Sequence, residues 1–232
     1  MTESEIDVII LCGGLGKRLR SVVSDRPKVL AEIGEKTFLD VVIENLQSQG
    51  LKNIILSVGY LKEQIKSHFY NKGSINIRFS DEDEPLGTGG ALKKAGPLIR
   101  SDPFMVMNGD SICGINFRDF FKFHMDKKAL LSMVLVRSDN TRDFGNVIMN
   151  GSNRITEFKE KVSNNSESLV NAGIYLMRKD IFYYMPGRNC FSLEYDVFPN
   201  VVNGYGYLTE GKLIDIGTPE RYEGVRYNEN FY

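Results

Sequence analysis

A continuous apolar run near the start of the chain constrains the fold more than any other feature. Residues 7–13 read DVIILCG, without the alternation of apolar and polar residues that marks a half-exposed strand. Such a run, closed by glycine, is typical of a strand buried on both faces of a parallel sheet. Residues 37–50 then carry apolar side chains at helical spacing, with Thr37 as a candidate N-cap and Gly50 past the C-terminus. Together the two segments predict the first strand and helix of an α/β fold.

The alternation of strand and helix continues to the end of the chain. Further strands are predicted at residues 53–60, 75–80, 103–111, 129–136, 169–178 and 205–217, the last as two strands turning at Glu210-Gly211. The Asn150-Gly151 step favours the tight turn of a hairpin-like pair of strands. Further helices are predicted at residues 61–69, 89–97, 116–128, 179–185, 192–202 and 218–230. Nothing marks a domain boundary. We predict one domain over residues 1–232, with a Rossmann-like, mixed but mainly parallel sheet flanked by helices.

Composition excludes several classes of function. The 29 lysines and arginines balance the 30 acidic residues, so nothing indicates the basic surface of a nucleic-acid-binding protein. Cys12, Cys113 and Cys190 are far apart and odd in number, which disfavours disulfides or a zinc site and favours a reducing cytoplasm. The first residues lack the features of a signal peptide, and no stretch approaches the roughly 20 apolar residues of a membrane span. We expect a cytoplasmic protein without membrane or nucleic-acid partners, and phosphorylated small molecules stay possible ligands.

A glycine-rich turn follows the first predicted strand. Residues 11–19 read LCGGLGKRL, and Arg18 and Lys28 place two cations close to this turn. Glycine lets backbone N–H groups approach a phosphate chain, and the cations would neutralise its charge. The turn is not a Walker A loop, because Leu11 and Arg18 replace the required glycine and hydroxyl residue. Nor is it a dinucleotide fingerprint, because Leu19 replaces the last glycine, and a plain turn is the alternative.

Six segments in order resemble the sugar-1-phosphate nucleotidyltransferase family, and they extend over nearly the whole chain. They are the turn with Pro27-Lys28 behind it, and residues 85–91, 108–110, 160–161, 171–175 and 215–220. The resemblance implies the nucleotide-diphospho-sugar transferase fold and an Mg²⁺-dependent enzyme that joins a nucleoside monophosphate from an NTP to a sugar 1-phosphate. Three positions depart from the family pattern: Lys17 stands in place of threonine, Cys12 in place of alanine, and Val162 in place of proline.

The resemblance implies a role for each matching residue. Asp110 and Asp215 would bind Mg²⁺, a hard cation that prefers oxygen ligands, although aspartate after glycine is also common in turns and caps. Arg18 and Lys28 would hold the triphosphate and stabilise charge on the α-phosphate and the departing pyrophosphate. The nucleotide would contact Leu11, Gly13, Gly14, Glu84, Gly87, Thr88 and Gly109. The sugar phosphate would contact Gly145, Glu160, Asn171 and Lys161, the last also a catalytic cation.

Alternatives apply to some of these residues. Lys161 could be a solvated lysine at the start of a polar loop, with Lys159 as its competitor, and Gly145 could be a plain turn glycine. His68 and His124 lie outside the motifs and are expected to be structural or surface residues. A general base is not required, because an ionised sugar phosphate can attack the α-phosphorus directly and in line.

The choice of substrates rests on two segments of the chain. Residues 82–89 and 191–199 are similar to those of family members that transfer GMP to heptose 1-phosphate and, more distantly, to mannose 1-phosphate. GTP and a heptose 1-phosphate are therefore the predicted substrates. The alternatives are a mannose, glucose or phosphocholine-type enzyme using GTP, UTP or CTP, and a non-catalytic domain that senses nucleotide sugars. Aromatic residues at 182–184 and 231–232 indicate either a homodimer surface or core packing.

Overall fold

The computed structural model describes residues 5–70, 76–138, 145–160 and 168–227. The helices are α1 Phe38–Ser48, α2 Lys62–Tyr70, α3 Gly87–Ala95, α4 Phe117–Asp126 and α5 Pro219–Glu223. The strands are β1 Asp7–Leu11, β2 Glu32–Ile33, β3 Lys36–Thr37, β4 Asn53–Val58, β5 Asn76–Asp81, β6 Phe104–Asn108, β7 Ser111–Cys113, β8 Leu131–Ser138, β9 Gly145–Met149, β10 Ile155–Glu160, β11 Ser168–Met177, β12 Gly204–Leu208 and β13 Leu213–Asp215. Within these residues, every helix is too short or too polar to cross a membrane.

Nine strands of the described residues form one mixed sheet. Strands β5, β4, β1 and β6 lie side by side in parallel, as the continuous apolar runs predict. Beyond β6 most pairs are antiparallel: β11 pairs with β6, β8 and β9, and β9 pairs with β10. Strand β12 then adds a parallel pair to β8. The predicted α/β fold with a mixed sheet flanked by helices is confirmed.

Both faces of the parallel strands are buried. Successive strand residues point to opposite faces, so Val8 and Ile10 of β1 join one apolar cluster and Ile9 joins the other. The first cluster includes the apolar face of α1, and the second includes Leu92 and Ala95 of α3. Burial on both sides explains why the sequence of β1 shows no alternation.

Helix α1 shows how local sequence sets the boundary of an element. Thr37 is its N-cap, as predicted: the Thr37 hydroxyl accepts a hydrogen bond from the Asp40 N–H, and the Asp40 carboxylate accepts one from the Thr37 N–H. This reciprocal pair satisfies two N–H groups that the first turn of a helix leaves without intrahelical partners.

The segment 205–217 forms the two predicted strands, one on each side of Glu210-Gly211. The two strands do not pair with each other: β12 lies beside β8, and β13 lies beside β7. Gly211 instead lies against Gly114, where a Cβ at position 211 would be 1.6 Å from the Gly114 carbonyl oxygen. Backbone contact between distant segments therefore decides the pairing of these strands.

Other predicted elements form with changes in helix type or length. Residues 179–185 give a 3-10 helix at Lys179–Tyr184, and residues 192–202 give a π-helix at Leu193–Val197 followed by a 3-10 turn. Helix α5 is shorter than the predicted closing helix, although Thr218 caps it and Pro219 begins it as predicted. The turn at Asn150-Gly151 joins β9 to β10, which confirms the hairpin.

Aromatic residues 182–184 divide between core and surface. The Phe182 ring is partly buried and packs against the core, with 6.0 Å between its centroid and that of Phe104. The Tyr183 side chain is 87% exposed. Residues 231–232, the other candidates for a dimer surface, lie outside the described residues.

The two histidines have structural partners. His124 is buried in α4, and its Nδ1 lies 2.8 Å from the Ser132 hydroxyl. Burial, aided by the charge of Arg178, lowers the pKa of His124 to about 4. His68 contacts the Asp40 carboxylate at 2.9 Å and so joins α2 to the cap of α1. Both placements agree with a structural role.

Candidate active site

A cleft of about 490 Å³ opens at the carboxyl ends of β1, β5 and β6. Open α/β sheets place their ligands at this edge. The wall is built from the glycine-rich turn, from Lys28, Glu82 and Asp110, and from the start of α3. Five predicted nucleotide-binding residues lie on this wall: Leu11, Gly13, Gly14, Gly87 and Thr88.

Each glycine of the turn stands where it does for a different physical reason. A Cβ on Gly13 would lie 2.5 Å from Glu82 Oε1, so glycine lets the turn pack on that carboxylate. Gly16 has a φ of +59°, in the left-handed region that favours glycine. No described atom lies within 4 Å of the Cβ position on Gly14, so this residue faces open space in the cleft.

The Lys28 ammonium forms an ion pair with the Asp110 carboxylate on the cleft wall. Both side chains are largely buried, with exposed fractions of 18% and 27%. Burial acts to raise the pKa of Asp110, but the charge and hydrogen bond of Lys28 outweigh it and hold the pKa below its usual value. Asp110 is therefore ionised at neutral pH.

Asp215 lies next to Asp110, because β13 pairs with β7 and the Ile216 N–H donates to the Asp110 carbonyl at 3.0 Å. Its carboxylate accepts from the Gly217 N–H at 2.8 Å and pairs with Arg221 at 2.9 Å. Burial raises the pKa of Asp215, and the negative charge of Asp110 raises it further. Two neighbouring carboxylates that repel each other are a pair that a divalent cation can stabilise.

Arg18 completes this charged cluster. Its guanidinium lies 3.4 Å from the position that a Cβ on Gly217 would take, and its charge helps to lower the pKa of Asp110. Both Arg18 and Lys17 are exposed, and it is Lys17 that lines the cleft. The described residues contain no group of three or more His, Cys, Asp or Glu side chains that could hold a metal. A metal bound by Asp110 and Asp215 would therefore take further ligands from water or substrate.

Glu82 is a further carboxylate on the cleft wall, and the sequence did not single it out. It is buried, and its Oε1 accepts from the Ser57 hydroxyl at 3.0 Å. Burial raises the pKa of Glu82, although the bond from Ser57 opposes the shift. The signal for this residue was present in the sequence, since Glu82 and Glu84 form the E-x-E pattern before the second glycine segment.

The second glycine segment begins α3 and packs against a distant part of the chain. Gly87 has a φ of +71°. A Cβ on Gly89 would lie 2.3 Å from the Phe191 ring, and one on Gly90 would lie 2.0 Å from the Asn189 carbonyl oxygen. These glycines therefore allow residues 189–191 to dock on α3.

The nucleotidyl transferase family model matches residues 7–228. The chain belongs to this family. The D-glycero-alpha-D-manno-heptose 1-phosphate guanylyltransferase of Aneurinibacillus thermoaerophilus is 40% identical, over 98% of this chain and 100% of the relative. The protein of the same name from Campylobacter jejuni is 37% identical, over 94% of this chain and 97% of the relative. The solved structure of HddC from Yersinia pseudotuberculosis complexed with GMP-PN has a TM-score of 0.84 at 34% identity, covering 95% of this chain and 97% of that one.

In this nucleotidyl transferase, two of the residues predicted to bind the nucleotide substrate do not line the cleft. Glu84 is exposed and lines a separate groove beside Lys93. Gly109 lies behind the wall: its N–H donates to the Leu11 carbonyl at 3.0 Å, and a Cβ there would be 2.9 Å from the Cys12 sulfur. Close packing of β1 against the end of β6 is thus the physical reason for this glycine.

Only some of the residues predicted to bind the sugar phosphate can be located relative to one another. Gly145 and Glu160 are paired across β9 and β10. Asn171 is buried in β11, where its Nδ2 donates to the Tyr175 hydroxyl at 2.7 Å and its Oδ1 accepts from the Gly173 N–H at 2.9 Å. Lys161 and Val162 lie outside the described residues.

Proposed function

We propose that this nucleotidyl transferase moves GMP from GTP to a heptose 1-phosphate and releases pyrophosphate in the cytoplasm. The observation that carries the proposal is the cleft, which combines the Lys28–Asp110 pair with the buried carboxylate of Glu82. Similarity over nearly the full length to two proteins named heptose 1-phosphate guanylyltransferases supports both substrates.

The proposed reader of the base is Glu82. Guanine presents two adjacent donors, N1–H and the N2 amino group, and a carboxylate has two acceptor oxygens that match them. The Ser57 hydroxyl bonds to Oε1 and so fixes the orientation of the carboxylate beneath the glycine turn. A base with a single donor on this edge would form one bond to the buried carboxylate where guanine forms two, and would therefore bind less tightly. Glu82 therefore favours GTP over the other common nucleotides.

The proposed chemistry is a direct transfer. A phosphate oxygen of the sugar 1-phosphate attacks the α-phosphorus of GTP in line, and pyrophosphate leaves from the opposite side. No side-chain nucleophile is needed, because the attacking oxygen is already ionised. Lys28, on the cleft wall, and Arg18, whose charge acts on Asp110, are the proposed cations that neutralise the triphosphate, and the backbone of Gly13 and Gly14 would let the phosphates approach closely.

Asp110 and Asp215 are the proposed Mg²⁺ ligands. Two carboxylates suit Mg²⁺, which usually takes one or two from the protein and fills its other positions with water and substrate phosphates. The ion supplies Lewis-acid stabilisation of the phosphates when bound. The Lys28 ammonium balances the charge of the Asp110 carboxylate and keeps it ionised although it is largely buried. An ionised carboxylate is the form that binds a cation.

The proposed acceptor site includes Gly145, Glu160, Asn171 and Lys161. Two lysines compete for the role of phosphate ligand, and a matched pair of variants separates them. Lys161→Met should raise the KM for heptose 1-phosphate with little change in the KM for GTP, whereas Lys159→Met should change neither. The reverse result would give the role to Lys159.

Pyrophosphate release tests the proposed function. GTP, ATP, UTP and CTP are each combined with heptose, mannose and glucose 1-phosphates in the presence of Mg²⁺. Release that is fastest with GTP and heptose 1-phosphate supports the proposal. Faster release with another pair keeps nucleotidyl transfer and replaces the substrates, and no release with any pair contradicts the proposal in favour of a nucleotide-sensing domain. Light scattering on the same sample shows whether the protein is a monomer or a homodimer, the two alternatives that the aromatic residues leave open.

A further inference from the structure

A carboxylate outside the cleft holds one of the residues on its wall. Glu194 lies on the π-helix Leu193–Val197, more than 100 positions along the chain from Thr88. The Thr88 hydroxyl donates to Glu194 Oε2 at 2.6 Å, and the Ser192 hydroxyl donates to the same oxygen at 2.6 Å. Glu194 itself does not line the cleft.

The Thr88 hydroxyl forms two hydrogen bonds to the π-helix, one as donor and one as acceptor. Its single proton goes to Glu194, and its oxygen accepts from the Leu193 N–H at 2.9 Å. A hydroxyl has one donor hydrogen, so Thr88 cannot also donate through its hydroxyl to a nucleotide phosphate or ribose. Its hydroxyl therefore links the start of α3 to the π-helix, and its contribution to the cleft is one of placement.

The segment that carries the π-helix is fixed on both sides, to α3 before it and to the sheet after it, so it can serve as a support. The Phe191 carbonyl accepts from the Gly89 and Gly90 N–H groups at 3.0 and 3.3 Å. At the other end, the Phe198 ring packs on Tyr175 of β11 with 4.9 Å between centroids, and on Phe158 of β10 with 5.6 Å. π-Helices are rare and occur often at functional sites. This one joins the nucleotide-binding wall to the strand that carries Glu160.

We propose that Glu194 is a positioning residue for the nucleotide: it holds the first turn of α3, through Thr88, in the place that the bound nucleotide requires. The inference rests on the proposed function, because it assigns the wall formed by Gly87 and Thr88 to GTP. A binding segment that is held in place before the ligand arrives loses less conformational freedom on binding. Release of Thr88 should therefore weaken GTP binding.

Titration calorimetry with GTP and Mg²⁺, without sugar phosphate and well below the melting temperature, tests this inference. Glu194→Ala should raise the Kd for GTP about tenfold, because the released first turn of α3 would then occupy the binding-competent place in about one molecule in ten. Glu194→Gln should bind GTP nearly as tightly as the unchanged protein, because both hydroxyls bond to a single oxygen that the amide can replace. Tyr195→Ala is the matched control on the same π-helix, since its side chain is 61% exposed.

Thr88→Val gives a second route to the same contact if Glu194→Ala folds poorly. It keeps the shape of the side chain and removes the hydroxyl, so it should reproduce the loss of GTP affinity. The double variant Thr88→Val with Glu194→Ala should bind no more weakly than either single variant, because both remove one shared contact.

Each outcome has a distinct meaning. A lower melting temperature with an unchanged Kd for GTP, in both Glu194→Ala and Thr88→Val, would show a purely structural contact and overturn the inference. Additive losses in the double variant would overturn it as well. If the unchanged protein fails to bind GTP, the proposed function fails and the inference fails with it. Normal binding by the unchanged protein and weak binding by Glu194→Ala, restored in Glu194→Gln, support it.

Discussion

Replacement of Glu82 by glutamine tests the proposed recognition of guanine most directly. The Glu82 carboxylate is buried against the glycine turn, with Oε1 bonded to the Ser57 hydroxyl. Glutamine has nearly the same shape and keeps one oxygen that can accept from Ser57. Its other terminal atom becomes an NH₂ donor, which would face the donors of guanine. The substitution therefore changes the hydrogen-bonding pattern with little change in packing.

The expected reduction in kcat/KM follows from the number of hydrogen bonds to guanine that the substitution removes. A hydrogen bond to a charged group contributes about 1.5–3 kcal/mol, so each lost guanine contact should reduce kcat/KM by about 10- to 150-fold. Inosine triphosphate isolates one of these contacts, because it lacks the N2 amino group and keeps N1–H. The protein with Glu82 should prefer GTP over ITP by about 10- to 150-fold, and Glu82→Gln should lose most of this preference.

The assay is pyrophosphate release at varied GTP and ITP, with heptose 1-phosphate and Mg²⁺ held saturating. Ser57→Ala is a matched control, since it removes the bond that orients Glu82 and leaves the charge in place. It should reduce the preference for GTP less than Glu82→Gln does. An unchanged ratio of kcat/KM for GTP and ITP in Glu82→Gln, in a folded protein, would refute the proposed reading of the base.

Three further changes have defined outcomes. Asp110→Ala should abolish pyrophosphate release and leave the circular dichroism spectrum unchanged, because it removes a proposed Mg²⁺ ligand from the cleft edge. Gly87→Ala should cost about 1–3 kcal/mol of unfolding free energy, because Gly87 has a φ of +71° and faces the Phe191 carbonyl. Gly14→Ala is the control: its added Cβ meets no described atom within 4 Å, so this protein should melt like the unchanged one. The pKa of His124 is lowered from 6.5 to about 4, so the unfolded chain binds this proton more tightly. Stability should fall by up to about 3 kcal/mol as pH drops through that window, and His124→Asn should lack this component in urea unfolding.

Each of these predictions can fail clearly. An active and well-folded Asp110→Ala protein would remove the metal assignment. Equal melting temperatures for the Gly87→Ala and Gly14→Ala proteins would show that the close approach to residue 191 carries no strain. Parallel curves of unfolding free energy against pH for the unchanged protein and His124→Asn would show that the buried imidazole is not the source of the pH dependence.

Local signals in the sequence were enough to predict most of the fold. The cap at Thr37 depends on residues close to it in the chain. The uninterrupted apolar run of β1 reflects burial on both faces. Both signals can be recognised in the sequence alone. The pairing of β12 and β13 was not predictable in this way. It depends on the contact of Gly211 with Gly114, which lie almost 100 positions apart.

The candidate site shows the same division. The presence of Gly13, Gly14 and Lys28 on one cleft could be predicted, because the phosphate site proposed here needs glycine and positive charge close together in the chain. The choice between Glu82 and Glu84 could not, because it depends on which carboxylate packs under the turn. The contact between Thr88 and Glu194 joins two distant segments, and nothing local in either segment indicates the other.

Strand β11 belongs to both halves of the sheet, and this has a consequence for how substrate range can change. Residues 169–170 pair with β9, which begins at Gly145, whereas residues 174–177 pair with β6, which ends beside Asp110. The spacing between the proposed donor and acceptor sides is thus set within one strand, across the irregular stretch between Asn171 and Tyr175 in which Gly173 has a φ of +75°. On the proposed assignment, loops on the acceptor side can accumulate substitutions, and a new sugar can be accommodated, while β11 keeps the two sides of the cleft in the same register.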